Sequence, residues 1–140
     1  MVTAEGMQLA LARGMECYFG SMSLPEKNPS GKTAVVTFSI PDLGICFKAP
    51  FESVDSNHRD YASLLALLEF IDSNQEYFSS HTYQIFGTNH KVINQVNQKE
   101  SSPAMYAPLI EKTEVYRKKY RFSLDWVPSE KNPAYDTLFD

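Results

Sequence analysis

The stretch RDYASLLALLEFIDS, residues 59–73, limits the architecture more than any other part of the chain. Leu64, Leu65, Leu67, Leu68 and Ile71 recur at the spacing that covers one broad face of an α-helix, so the helix must lie against an apolar layer. That layer is encoded just before it. MECYFGSMSL (15–24), KTAVVTFSI (32–40) and ICFKAPF (45–51) are aromatic and β-branched runs. The turn cluster PEKNPSGK separates the first two, and PDLG at 41–44 joins the last two as a hairpin. Three antiparallel strands followed by a helix are predicted.

After the linker NQEYFSSH (74–81), TYQIFG (82–87) reads as a fourth strand that turns at Thr88 and Asn89 into a short helix carrying Val92, Ile93 and Val96. SSPAMYAPLIEKTEVYRKK (101–119) is a further helix, with Ser102 and Pro103 as a start signal and Pro108 as a delay. YRFSLDWVP (120–128) is the fifth strand, broken at Pro128, and NPAYDTLFD adds a last helical turn or two. The order predicts an α/β fold: a mixed five-stranded sheet, three antiparallel strands and then helix-crossed strands, with helices on its faces. A single domain over 1–140 is expected, with residues 1–14 as a leader of helical character.

The chain has 140 residues, 43% of them hydrophobic, enough to bury a core without staples. A net charge of −4 excludes the global positive field of a general nucleic-acid binder, so any such binding needs a local patch. Cys17 and Cys46 are the two cysteines, and no Cys/His spacing suits zinc. They fall on strands one and three, about two strand spacings apart (roughly 9–10 Å), beyond the ~7 Å a disulfide allows, so free thiols are expected. The leader carries Glu5 and no cationic n-region, and no apolar run approaches a membrane span. A cytoplasmic protein without a membrane partner is the expectation.

Three stretches carry a resemblance to the ribonuclease H-like family. ASLLALLEF (62–70) is similar to that family's first helix, A-E-x-x-A-L-x-x-A. TNHKVI (88–93) is similar to the T-D-S-x-x-V/I that ends its fourth strand, and WVPSEKNPAYDTL (126–138) resembles its closing W-V-P-x-x-x-N-x-x-A-D-x-L. The resemblance implies cleavage of the RNA strand of RNA/DNA hybrids, or of other nucleic-acid phosphodiesters, by two divalent metals held by about four carboxylates. Hard cations about 4 Å apart demand anionic oxygen ligands.

Carried over by position, the pattern loses its acids. Phe19 stands at the first-strand acid, before Gly20 and Ser21; Ser63 stands at the helix glutamate; Asn89 stands at the fourth-strand aspartate. Asp136 alone keeps a carboxylate, as a metal-site remnant or as an acid at the start of a terminal helix. Glu16 points off the wrong face of its strand, Asp60 lies a turn before Ser63, and Glu69 lies nearly two turns beyond it, so none replaces the lost ligands cleanly. Asn89 still serves as a helix cap, and His90 reads as a surface residue of the first helical turn.

The expected function is thus a catalytically inactive ribonuclease H-like domain acting as a binding or structural module, with no cofactor. One alternative is a divergent metal-dependent nuclease acting on RNA/DNA hybrid or other nucleic acid, with Mg or Mn. Another is a hydrolase or transferase built on Asp136, His90, Asp60 and Ser63. Lys112, Arg117, Lys118, Lys119 and Arg121 form the concentrated basic patch, either a phosphate-binding surface or a solvated helix end. Tyr77, Phe78 and Tyr83 are expected to be exposed and to favour protein or homo-oligomer contacts, whereas Trp126 is expected in the core with Phe122 and Leu124.

Overall fold

The computed structural model describes residues 14–24, 33–53, 55–78 and 82–139. The expected leader, except Gly14, and the turn cluster 25–32 lie outside the described residues. The described residues form five strands: β1 (Met15–Ser23), β2 (Ala34–Ile40), β3 (Ile45–Phe51), β4 (Tyr83–Gly87) and β5 (Phe122–Trp126). Their order in the sheet is β3-β2-β1-β4-β5. β1 pairs antiparallel with β2, and β2 with β3; β1 pairs parallel with β4, and β4 with β5. This is the mixed sheet the element order predicts. At the β2–β3 hairpin Pro41–Leu43 forms a 3-10 turn that ends at Gly44 with φ 65, a left-handed conformation suited to glycine.

The leucine-rich stretch forms α1 (Ser56–Ser73), which begins at Asp55, whose side chain accepts a hydrogen bond from the Asn57 amide. Its inner face buries Tyr61, Leu64, Leu67, Leu68 and Ile71. Met15, Cys17 and Phe19 of β1 and Phe38 and Ile40 of β2 meet that face in one continuous core. Each fully buried leucine or isoleucine contributes about 1.5–3 kcal/mol, and their concentration explains why the helix docks here. The crossovers are α3 (His90–Val96) and α4 (Ala107–Lys119). Asn132 opens the closing 3-10 segment Pro133–Phe139 by accepting a hydrogen bond from the Ala134 amide.

Three local expectations are corrected. A short helix, α2 (Gln75–Phe78), turns Phe78 back into the core, where its carbonyl accepts a 2.9 Å hydrogen bond from the Tyr83 hydroxyl. Phe78 and Tyr83 are both buried, and of the three aromatics only Tyr77 is exposed. Trp126 is 42% exposed rather than core, because it ends β5 past the covered part of the sheet, while Leu124 two residues earlier is buried. The cysteines are free as expected, on strands separated by β2. Cys17 is buried, and burial, with the charges of Asp42 and Glu16 adding, pushes its thiol pKa up to about 12.

Candidate functional site

At the carboxyl ends of β1 and β4 the chain opens a recess of about 390 Å³, lined by Ser21, Ser56, Arg59, Asp60, Thr88, Asn89, His90, Lys91 and Tyr135. Crevices beyond the carboxyl ends of parallel strands are where α/β sheets ordinarily bind ligands. Four separate stretches supply its walls. The end of β1 brings Ser21; the N-terminal part of α1 brings Ser56, Arg59 and Asp60; the β4–α3 corner brings Thr88 to Lys91; the closing segment brings Tyr135.

The corner is built by Asn89. Its side-chain oxygen accepts hydrogen bonds from the Lys91 and Val92 amides at 3.0 and 3.2 Å, capping α3 as expected. Its amide nitrogen donates to Asp60 Oδ2 and to Asn57 Oδ1, both at 2.9 Å. Ser21 Oγ donates to the other Asp60 oxygen at 2.7 Å. Both carboxylate oxygens are thereby engaged. Burial raises the Asp60 pKa above the usual carboxylate value, against the lowering effect of the Ser21 and Asn89 bonds and of the Arg59 charge.

Asp60, not Ser63, is therefore the helix residue that meets the Asn89 corner. Shifted one turn earlier, the A-E-x-x-A-L-x-x-A pattern puts Asp60 in the glutamate slot and Leu64 at the leucine, with Arg59, Ser63 and Leu67 at the alanines. Ser63 is wholly buried, donating to the Thr37 carbonyl at 2.6 Å and accepting from the Gly20 amide at 3.0 Å. It sutures the helix to the sheet backbone. The Ser63 hydroxyl is thus engaged by the backbone, and His90 is exposed and stacks on Trp126, ring centroids 4.5 Å apart.

Phe19 also points inward and is wholly buried, its ring lying over Gly87 on the neighbouring strand. Glu16 is exposed and pairs with the Tyr18 hydroxyl, far down the strand from the recess. Asp136 is exposed and is not part of the recess lining. Its neighbour Tyr135 is, with its ring packed on Gly20 and its hydroxyl pKa pushed up to about 12 by burial. Asn132 ties the closing segment down, donating to the Phe19 carbonyl at 3.0 Å and to Thr88 Oγ1 at 3.1 Å.

The basic patch divides. Arg117 is taken up internally: it donates to the Val96 carbonyl at 3.3 Å and to Asn97 Oδ1 at 2.9 Å, and lies over the Phe122 ring. Lys119 pairs with Asp72 at 2.7 Å. Lys112, Lys118 and Arg121 remain exposed.

No protein-family model matches the chain, and no curated protein matches it by sequence. Solved structures do match. RNase H1 from the halophilic archaeon Halobacterium salinarum superposes with a TM-score of 0.67 over 89% of this chain and 92% of that one, at 18% identity. The fold is that of ribonuclease H. LC11-RNase H1, isolated from compost by a metagenomic approach, gives a TM-score of 0.68 over 91% of this chain and 99% of its own, at 13% identity. The N-terminal RNase H domain of a Mycobacterium tuberculosis protein gives 0.65 over 87% and 89%, at 14% identity. At such identities the likeness concerns the ribonuclease H fold and leaves the chemistry to the residues present.

Those residues do not fit a two-metal centre. A pair of divalent cations needs several anionic oxygens. Of the described residues lining the recess, Asp60 alone is a carboxylate, its oxygens are already bonded, and Arg59 and Lys91 bring positive charge. Among the described residues no group of three or more His, Cys, Asp or Glu could hold a metal ion. Among the same residues no helix is long and apolar enough to cross a membrane.

Proposed function

We propose that this domain is a catalytically inactive ribonuclease H-like module that binds nucleic acid. One observation carries the first half: among the described residues the recess is lined by a single carboxylate, buried and hydrogen-bonded at both oxygens by Ser21 and Asn89. Without further acids, neither a metal pair nor an activated water has a holder. The second half is supported by the cations at the recess and by the exposed Lys112, Lys118 and Arg121. LC11-RNase H1, a structural neighbour at 14% identity, has been solved in complex with an RNA/DNA hybrid. With Phe78 and Tyr83 buried, the aromatic argument for protein contacts rests on Tyr77.

The test joins calorimetric titration with Mg²⁺ and Mn²⁺, a hybrid-cleavage assay, and gel shifts with hybrid, duplex and single-stranded probes. We expect no two-metal binding and no cleavage, and probe affinity that falls steeply with salt as phosphate contacts are screened. Cleavage abolished by Asp60→Asn would overturn the inactive assignment. Self-association is the second reading, favoured by an apolar groove that Leu43, Ile45, Phe70 and the 66% exposed Tyr77 border. Concentration-dependent sedimentation that is lost in Tyr77→Ser would establish it.

A further inference from the structure

The recess carries an electrostatic imbalance. Arg59 and Lys91 face one carboxylate whose two oxygens are turned toward Ser21 and Asn89. Arg59 is only 8% exposed. Its guanidinium makes one long side-chain hydrogen bond, Nη1 to the Ser53 carbonyl at 3.3 Å, and its buried Nε–H has no acceptor among the described residues. Buried donors are almost always satisfied, so an idle one on a charged group at the wall of a recess marks a missing partner.

We propose that the recess binds a phosphate-type oxyanion directly, gripped by Arg59 and neutralised by Lys91, with no metal between protein and ligand. The guanidinium fork matches two oxygens of a tetrahedral anion, and a small tilt exchanges the long bond to Ser53 for a bidentate pair through Nε–H and one Nη. Ser56 stands at the first turn of the 18-residue α1, where the helix dipole also favours negative charge. Lys91 also lines the recess and is exposed, so its flexible side chain can close on the anion from the solvent side. Asp60 opposes binding by repulsion, which its two hydrogen bonds and its position behind Ser21 and Asn89 moderate.

This deepens the module reading and rests on it for the larger molecule that bears the phosphate. Direct binding also separates itself from metal-mediated binding by the sign of one substitution. A metal bridge requires the Asp60 charge; direct contact is hindered by it.

The experiment uses the full chain, labelled with ¹⁵N, in excess chelator at constant ionic strength, titrated with inorganic phosphate against a chloride control. Expected shifts concentrate at Ser56, Asn89, Lys91 and the Arg59 Nε–H. Lys91→Gln, at an exposed position, weakens binding by about fivefold. Arg59→Lys, which keeps the charge but not the fork, weakens it by about tenfold. Asp60→Asn tightens it by about threefold or more. A second arm repeats the measurement with a short RNA/DNA hybrid. Phosphate binding at the recess without hybrid binding supports the oxyanion site and removes nucleic acid as its source. No phosphate-dependent shift at the recess residues, or phosphate binding weakened by Asp60→Asn, overturns the proposal while the module reading stands.

Discussion

Replacing Gly87 with alanine tests why a phenylalanine stands where the resemblance sets an acid. A Cβ added at Gly87 would lie 2.7 Å from Phe19 Cε1 and 3.0 Å from Cε2, and closer still to Cζ, against the roughly 3.5–4.0 Å of ordinary carbon contact. The ring cannot swing outward, because Phe19 is wholly buried between β4 and the α1 face. Overpacking of this kind costs about 1–3 kcal/mol. The confined ring places Gly87→Ala near the upper end, about 2–3 kcal/mol, after allowing for the roughly 0.5–1 kcal/mol that alanine recovers in chain entropy. Phe19→Leu alone loses apolar burial and leaves space, at about 1–2 kcal/mol. Combined, the two changes relieve one another, so the double variant should cost at least about 1 kcal/mol less than the sum. Urea unfolding of all four proteins at unchanged m-value measures this. Additivity within about 0.5 kcal/mol, or a Gly87→Ala variant as stable as the parent, refutes the reasoning.

Other expectations concern the recess and the helices around it. Because burial raises the folded-state pKa of Asp60, its ionisation weakens the fold as pH rises through that value, and the effect vanishes below the unfolded value near 3.8. Asp60→Asn should therefore be more stable than the parent at pH 7, with the difference shrinking toward pH 4 in thermal melts; a constant or reversed difference contradicts the assignment. Asn89→Ala removes the α3 cap and an Asp60 partner, and should cost about 1–2 kcal/mol or more. Asn89→Asp keeps the cap but sets two carboxylates within about 3 Å, so it should be less stable at pH 7 than at pH 5; restoration of its stability by Mg²⁺ would show that a metal site can still form. Lys118→Ala should weaken nucleic-acid binding and lower the salt slope by about 1 without affecting stability. Arg117→Ala should instead lower the thermal midpoint, since its guanidinium joins Val96, Asn97 and Phe122.

The sheet was readable because its signals are local. Turn residues such as Pro41 and Gly44, the β-branched run of β2, and the leucine face of α1 each act within a few residues. The site was less so. In α1 the leucines repeat closely enough that the helix motif fits in two registers three residues apart, and only the long-range bonds of Asp60 to Ser21 and Asn89 decide between them. The signal that could have found it was Asp60 itself, an acid near the start of the helix on the side that buries Leu64, Leu67, Leu68 and Ile71. Phe78 and Tyr83 were misplaced because a linker's polarity does not reveal that a short helix folds its end inward. Trp126 was misplaced because strand alternation gives direction, while cover depends on where the neighbouring layer stops. Arg59 gave no sign in the sequence of its buried, unpartnered nitrogen.

The bonds of Asn132 to the Phe19 carbonyl and Thr88 Oγ1 have a consequence for synthesis. The first spans 113 positions of sequence, among the longest closures available to a chain of this size. A nascent chain that has emerged only as far as Trp126 has presented all five strands and the main helices, yet it still lacks Tyr135 from the recess wall and the clamp across β1 and β4. Long closures of this kind form late. The recess thus matures after the sheet, and a ligand that needs its full wall distinguishes chains that have folded as far as Tyr135 from those that present the sheet alone.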